Sequence, residues 1–203
     1  NVNEAPVFTS GDTANFAENE TSAVYTAVVN DVDAGDKLTY TLSGTDADLF
    51  DIDSSGAITF LSEPDFETPK DSGGDNVYNV TVTATDDDDT PLSTTHDVAI
   101  TVTNVNEAPV IDGGDTQSID YKENQLETEV VYDVNAADED EGDKITYSLS
   151  GDDEALFDID PSTGVITFKA SPNYEADVKS FDGDNDYQLT VTATDDDDTP
   201  SSD

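Results

Sequence analysis

Apolar and polar residues alternate with a period of two along much of this chain. Leu38, Tyr40 and Leu42 are separated by Thr39 and Thr41, and Val80, Val82 and Ala84 by Thr81 and Thr83. Val98, Ile100 and Val102 are separated in the same way by Ala99 and Thr101. Successive side chains of a β-strand point to opposite faces, so such segments predict strands with one face buried. No useful length carries the 3.6-residue apolar spacing of an amphipathic helix. In the first half the pattern predicts seven strands, near 7–17, 23–29, 37–43, 49–52, 57–61, 77–85 and 96–103.

The same elements then return. NVNEAPV at 1–7 recurs at 104–110, DVDAGDKLTYTLSG at 31–44 recurs as DEDEGDKITYSLSG at 138–151, and TVTATDDDDTP at 81–91 recurs unchanged at 190–200. The offset grows only from 103 to 109 residues, which small loop insertions explain. A period near 100 residues is the size of a domain, so the duplicated unit is a whole domain and not a short solenoid repeat. The expected organisation is all-β: two tandem immunoglobulin-like Greek-key sandwiches, residues 1–103 and 104–203, joined end to end by a short linker. The first unit continues past TDDDDTP with LSTTHDVAITVT, whereas no such segment follows in the second, so the second is expected to lack its last strand in this chain. Its preceding strand, 187–194, is then expected to present an open edge.

Charge narrows the function. Asp and Glu number 49 against 6 lysines, for a formal net charge of −43. Nucleic acids and anionic membranes are bound through clustered Lys and Arg, which this chain lacks, so its natural partners are cations. Without Cys there are no disulfides and no thiolate metal sites, and bound metal is another way to staple a small domain. No apolar run is long enough to insert directly into a membrane.

Strands of such a sandwich run alternately up and down, which sorts the acids onto two poles. In the first unit Glu18, Asp65 and Glu67 fall at the pole where the last strand exits, followed at once by Asn104, Asn106 and Glu107. Asp31, Asp33 and Asp86 fall at the opposite pole, where Asn1, Asn3 and Glu4 enter. The second unit repeats this with Asp138, Asp140 and Asp195 at one pole and Glu123, Asn173 and Glu175 at the other. End-to-end stacking is expected to gather Glu18, Asp65, Glu67, the linker residues, Asp138, Asp140 and Asp195 around a shared site. Many hard oxygen ligands on loops suit Ca²⁺, which takes 6–8 oxygens, better than Mg²⁺ with its stricter octahedron. Zinc and copper favour His and Cys ligands, which these poles lack.

At these residues the sequence resembles the cadherin repeat. FAENE (16–20) and YKENQ (121–125) resemble its Pro-Glu motif, DVD and DED its Asp-x-Asp motif, and TATD its Ala-x-Asp segment. PDFE and PNYE stand where the family has Leu-Asp-Arg-Glu, with Asn173 in place of an Asp, and NVNEAP resembles a shortened form of its calcium-binding linker. The resemblance implies calcium ions bound at these motifs, neighbouring repeats in a longer chain, and a rigid rod in a cell-surface adhesion protein. The absence of Arg and Cys, the NVNEAP linker and the acidity together resemble more closely the repeats of large bacterial surface adhesins. No Trp is present for the strand exchange of some animal cadherins.

Other readings are weaker. His96, the only histidine, is expected to open the seventh strand, with no nucleophile or orienting acid at a recognisable spacing, so an enzyme is not expected. The run 182–186, DGDND, lacks the downstream Glu of an EF-hand loop and reads as a loop insertion. Asn79-Val-Thr is a formal glycosylation sequon inside a strand. The alternative function is a calcium-dependent module that itself binds a polysaccharide or a cell-surface protein.

Overall fold

A computed structural model describes residues 2–33, 35–114, 116–173, 175 and 186–197. The chain divides into two compact units, Asn1–Val105 and Asn106–Asp203. The boundary leaves Asn106 and Glu107 with the second unit, two residues beyond the division expected from the repeats.

The first unit is a sandwich of two layers, antiparallel except where β2 (Thr13–Ala17) joins β9 (Ser93–Thr103). One layer holds β1 (Val7–Phe8) against β4 (Val29–Asn30), and β3 (Tyr25–Thr26), β7 (Ala57–Phe60) and β6 (Phe50–Ile52) in the order β3-β7-β6. The other runs β2-β9-β8-β5, built from β2 (Thr13–Ala17), β9 (Ser93–Thr103), β8 (Val77–Thr85) and β5 (Thr39–Ser43). The strand expected over 7–17 is therefore two strands. It leaves the first layer after Phe8, turns through Ser10 and Gly11, and joins the second as β2, parallel to β9. The Tyr25 hydroxyl fixes this crossing by bonding the Ser10 hydroxyl and the Gly11 carbonyl. His96 lies inside β9 and does not open it, with its ring stacked 5.0 Å from that of Phe8.

The alternation written in the sequence is the alternation of burial. Tyr78, Val80, Val82 and Ala84 on β8, and Val98, Ile100 and Val102 on β9, are at most 2% exposed, while the intervening Thr and Asn residues face outward or are half-buried. Phe50, Phe60 and Tyr78 form an aromatic cluster between the layers, with Tyr78 edge-on to both rings.

The second unit repeats this plan in part. β10 (Val110–Ile111) pairs with β12 (Ala136–Ala137); β11 (Val130–Asp133), β15 (Val165–Phe168) and β14 (Phe157–Ile159) form one sheet; β13 (Thr146–Ser150) pairs with β16 (Thr190–Thr194). Phe157, Phe168 and Tyr187 rebuild the aromatic cluster. Among the described residues, no strand corresponds to β2 or β9, and β16 pairs on one side only.

Candidate metal centre

Each unit builds an acidic pole from three stretches of its own chain: the entering linker, the loop before β5 or β13, and the end of β8 or β16. In the first unit the Glu4 amide donates to Asp33 (2.9 Å), the Asn3 side-chain amide donates to Asp86 (3.3 Å), and the Asp33 amide donates to Asp31 (2.9 Å). The second unit repeats each contact. The Glu107 amide donates to Asp140 (2.9 Å), the Asn106 side chain to Asp195 (3.2 Å), and the Asp140 amide to Asp138 (3.2 Å). Asp86 and Asp195 are each 3% exposed at the end of their strands.

These bonds use only part of each pole's acceptor capacity. One oxygen each of Asp31 and Asp36, and of Asp138 and Asp143, is shielded from solvent and accepts no hydrogen bond. The Asn3 side-chain oxygen is in the same position. Buried polar atoms are normally paired, because an unpaired one forfeits its hydration with nothing in return. Carboxylate oxygens of Asp31, Asp33 and Asp36 lie within 4.8 Å of one another, as do those of Asp138, Asp140 and Asp143. Two oxygens on one Ca²⁺ at 2.3–2.6 Å are separated by at most about 5 Å, so both groups fit that ion.

The electrostatics point the same way. Partial desolvation, then repulsion from Asp31, Asp88 and other neighbouring acids, pushes the Asp36 carboxyl above its ordinary range. Desolvation, then Asp140 and Asp138, does the same to Asp143. Desolvation and Asp33 raise Glu4. A divalent cation would relieve the repulsion in all three.

The opposite pole of the first unit gathers Glu18, Asp65 and Glu67, also within 4.8 Å. Glu18 is 2% exposed and accepts from the amides of Phe66 (2.7 Å) and Val105 (2.8 Å), which ties the chain leaving β9 to this pole. Its approach is set by Asn19, whose φ of 61° turns the chain as β2 ends and whose amide reaches the Pro64 carbonyl. The Thr68 hydroxyl and amide donate to Asp65 and hold its carboxyl below the ordinary range. In the second unit the turn survives, with Asn124 at φ 59° and its amide on the Pro172 carbonyl. Glu123, Asn173 and Glu175 are exposed, however, and none belongs to such an acidic group among the described residues. Asn104 is exposed just beyond β9. Asn1 and residues 182–185 of the DGDND run lie outside the described residues.

Sequence reasoning passed over Asp36 and Asp143. Their signal was present: both copies carry a third acid, in DVDAGD and DEDEGD. It also passed over Asp46 and Asp153, buried carboxylates with a structural task. Asp46 accepts from the amides of Ser72 and Asn79, and Asp153 from that of Gln188, each at 2.7 Å.

Known proteins share this fold. Residues 117–203 match the cadherin domain family. The structure aligns with Drosophila N-cadherin EC1-4 at a TM-score of 0.62 and 30% identity, covering 99% of this chain and 48% of that one. It aligns with human Protocadherin-24 EC1-2 at 0.60 and 26%, covering 96% and 88%. The fold is that of tandem cadherin repeats. Among curated cadherin relatives, mouse Protocadherin Fat 4 is 30% identical across 98% of this chain, and human Protocadherin-17 is 33% identical across 72%. The chain spans only 4% and 14% of these two proteins.

Proposed function

We propose that this chain is a calcium-binding pair of cadherin-like repeats, one stretch of a rod in an extracellular, cell-surface adhesion protein. The observation that carries the reading is the pole built twice: the same backbone contacts, the same shielded carboxylate oxygens without partners, and the same spacing for a hard cation. The proposed ligands at the poles are Asn3, Glu4, Asp31, Asp33 and Asp86 in the first unit, and Asn106, Glu107, Asp138, Asp140 and Asp195 in the second. Glu18, Asp65 and Glu67 are proposed as a further acidic ligand set.

Mechanically, calcium would do more than neutralise charge. Asn106 and Glu107 belong to the linker and are already bonded into the second pole, so an ion held there would fix the point at which the chain enters the repeat. A flexible connection would become a stiff one, which is the property a spacer needs. Adjacent repeats of a longer chain are the proposed partners. The aromatic residues Phe50, Phe60, Tyr78, Phe157, Phe168 and Tyr187 pack together within their units, which favours a spacer over a glycan-binding surface. A bacterial adhesin as the parent protein rests on the composition and the NVNEAP linker alone, since the relatives named above are animal proteins.

Thermal unfolding tests the reading. At a Kd of about 10⁻⁴ M, typical of extracellular calcium modules, 10 mM Ca²⁺ would stabilise each occupied unit by about 2.7 kcal/mol. For a domain of about 100 residues this raises Tm by roughly 10–20 °C. Coincident melts in EDTA and in CaCl₂ at equal ionic strength would refute it.

A further inference from the structure

We infer that Asn76 is a positioning residue: its buried side-chain amide holds the backbone of Phe66, and thereby Asp65 and Glu67, in the arrangement that takes calcium with Glu18. The inference rests on the calcium reading and deepens it at the pole where the chain leaves β9.

The turn DSGGDN (71–76), between β7 and β8, is acidic and glycine-rich in the manner of a calcium loop. Its leading carboxylate is already filled, however. Asp71 accepts from the amides of Asp75 (3.2 Å) and Asn76 (3.1 Å), one on each oxygen. The turn is seated on the sandwich by the Ser72 amide, which donates to the buried Asp46 (2.7 Å). What the turn presents inward is Asn76, 8% exposed at φ 61°, a conformation that Asn adopts more readily than most residues bearing a Cβ. The Asn76 carbonyl accepts from the Val102 amide of β9 (2.9 Å), and its side-chain nitrogen donates to the Phe66 carbonyl (2.8 Å).

Phe66 stands between Asp65 and Glu67 in the chain. The two peptide groups flanking it are both held: its amide by Glu18 at 2.7 Å, and its carbonyl by Asn76. Oxygens of Glu18, Asp65 and Glu67 lie within 4.8 Å of one another, a spacing that like charges oppose until a cation arrives. A buried donor on the Phe66 carbonyl resists that spreading without adding charge. The Asn76 side-chain oxygen is shielded and accepts no hydrogen bond. Among the described residues, the polar work of this side chain therefore falls on the segment that carries two of the three acids.

Calcium titration followed by backbone amide NMR of the full chain reads each pole of the first unit separately. Asn76→Gly keeps the turn's φ accessible and removes the donor. The calcium midpoint at the Phe66 and Glu67 amides should then rise about fivefold, the effect of losing one hydrogen bond of ordinary net strength. At Glu4 and Asp33, on the opposite pole, it should stay within about twofold. Asn76→Ala also lacks the donor but strains the turn, so its Tm in EDTA should be the lower of the two. The Phe66 midpoint should nevertheless rise alike in both, because it follows the donor and not the stability. A Phe66 midpoint that stays in place, that rises equally at both poles, or that rises only as Tm falls would overturn the role of Asn76 and leave the calcium reading intact. So would an unsubstituted chain in which calcium moves Glu4 and Asp33 but not Phe66. An unsubstituted chain whose amides respond at neither pole would overturn both.

Discussion

Residues 81–88 and 190–197 share one sequence, TVTATDDD, in two different settings. In the first unit the strand lies between β5 and β9, and Val82 is fully buried. In the second it pairs with β13 alone among the described residues, and Val191 is only half-buried. The strand's outer half thus depends on its neighbours. Its acidic end does not: Asp86 and Asp195 are equally buried, and each meets the asparagine of its own linker. The core is a property of the assembled layers, whereas the pole is a property of three short segments. Among the described residues, the contacts of the pole recur where the flanking strand does not.

The largest expected difference between the two copies is in packing. Val82→Ala removes two buried methyl groups and leaves a cavity, and should cost about 2–3 kcal/mol. Val191→Ala, at a site already open to water, should cost about 1 kcal/mol or less. Urea unfolding of the two variants checks this, and amide exchange should run faster through 190–194 than through 81–85. Equal costs would mean that the flanking strand does not govern burial.

A smaller difference is expected at the acidic ends. If calcium bound only at a residue pair shared by the two units of this chain, Asp195→Ala would weaken binding and Asp86→Ala would leave it nearly unchanged. The matched local geometry leads elsewhere: both substitutions should weaken binding, each in its own unit and to within about threefold of the other. Calorimetry of the two variants decides between these expectations, and a silent Asp86→Ala would show that a pole needs a preceding repeat.

Much of this was legible beforehand, for identifiable reasons. Duplication exposed the two units, and period-two alternation placed the strands, because each residue's face follows from its parity. The split of the first strand was not legible, since it turns on a tertiary bond from Tyr25 to Ser10 and Gly11. At the poles, Asp31, Asp33 and Asp86 announced themselves through repetition and spacing. Asp36 and Asp143 were repeated as faithfully but lay outside the two-acid motif. Glu123 carries the same motif as Glu18 and yet is exposed; burial of Glu18 depends on amides from Phe66 and Val105, neighbours that a local motif does not encode.

The central claim is that calcium binds at both poles. Backbone amide NMR during a CaCl₂ titration of the intact chain reads it residue by residue. The account predicts shifts at Glu4 and Asp33, and at Glu107 and Asp140, saturating by millimolar calcium while the amides of 78–82 stay in place. Pole amides that do not move, or shifts spread evenly over the surface acids, would contradict it.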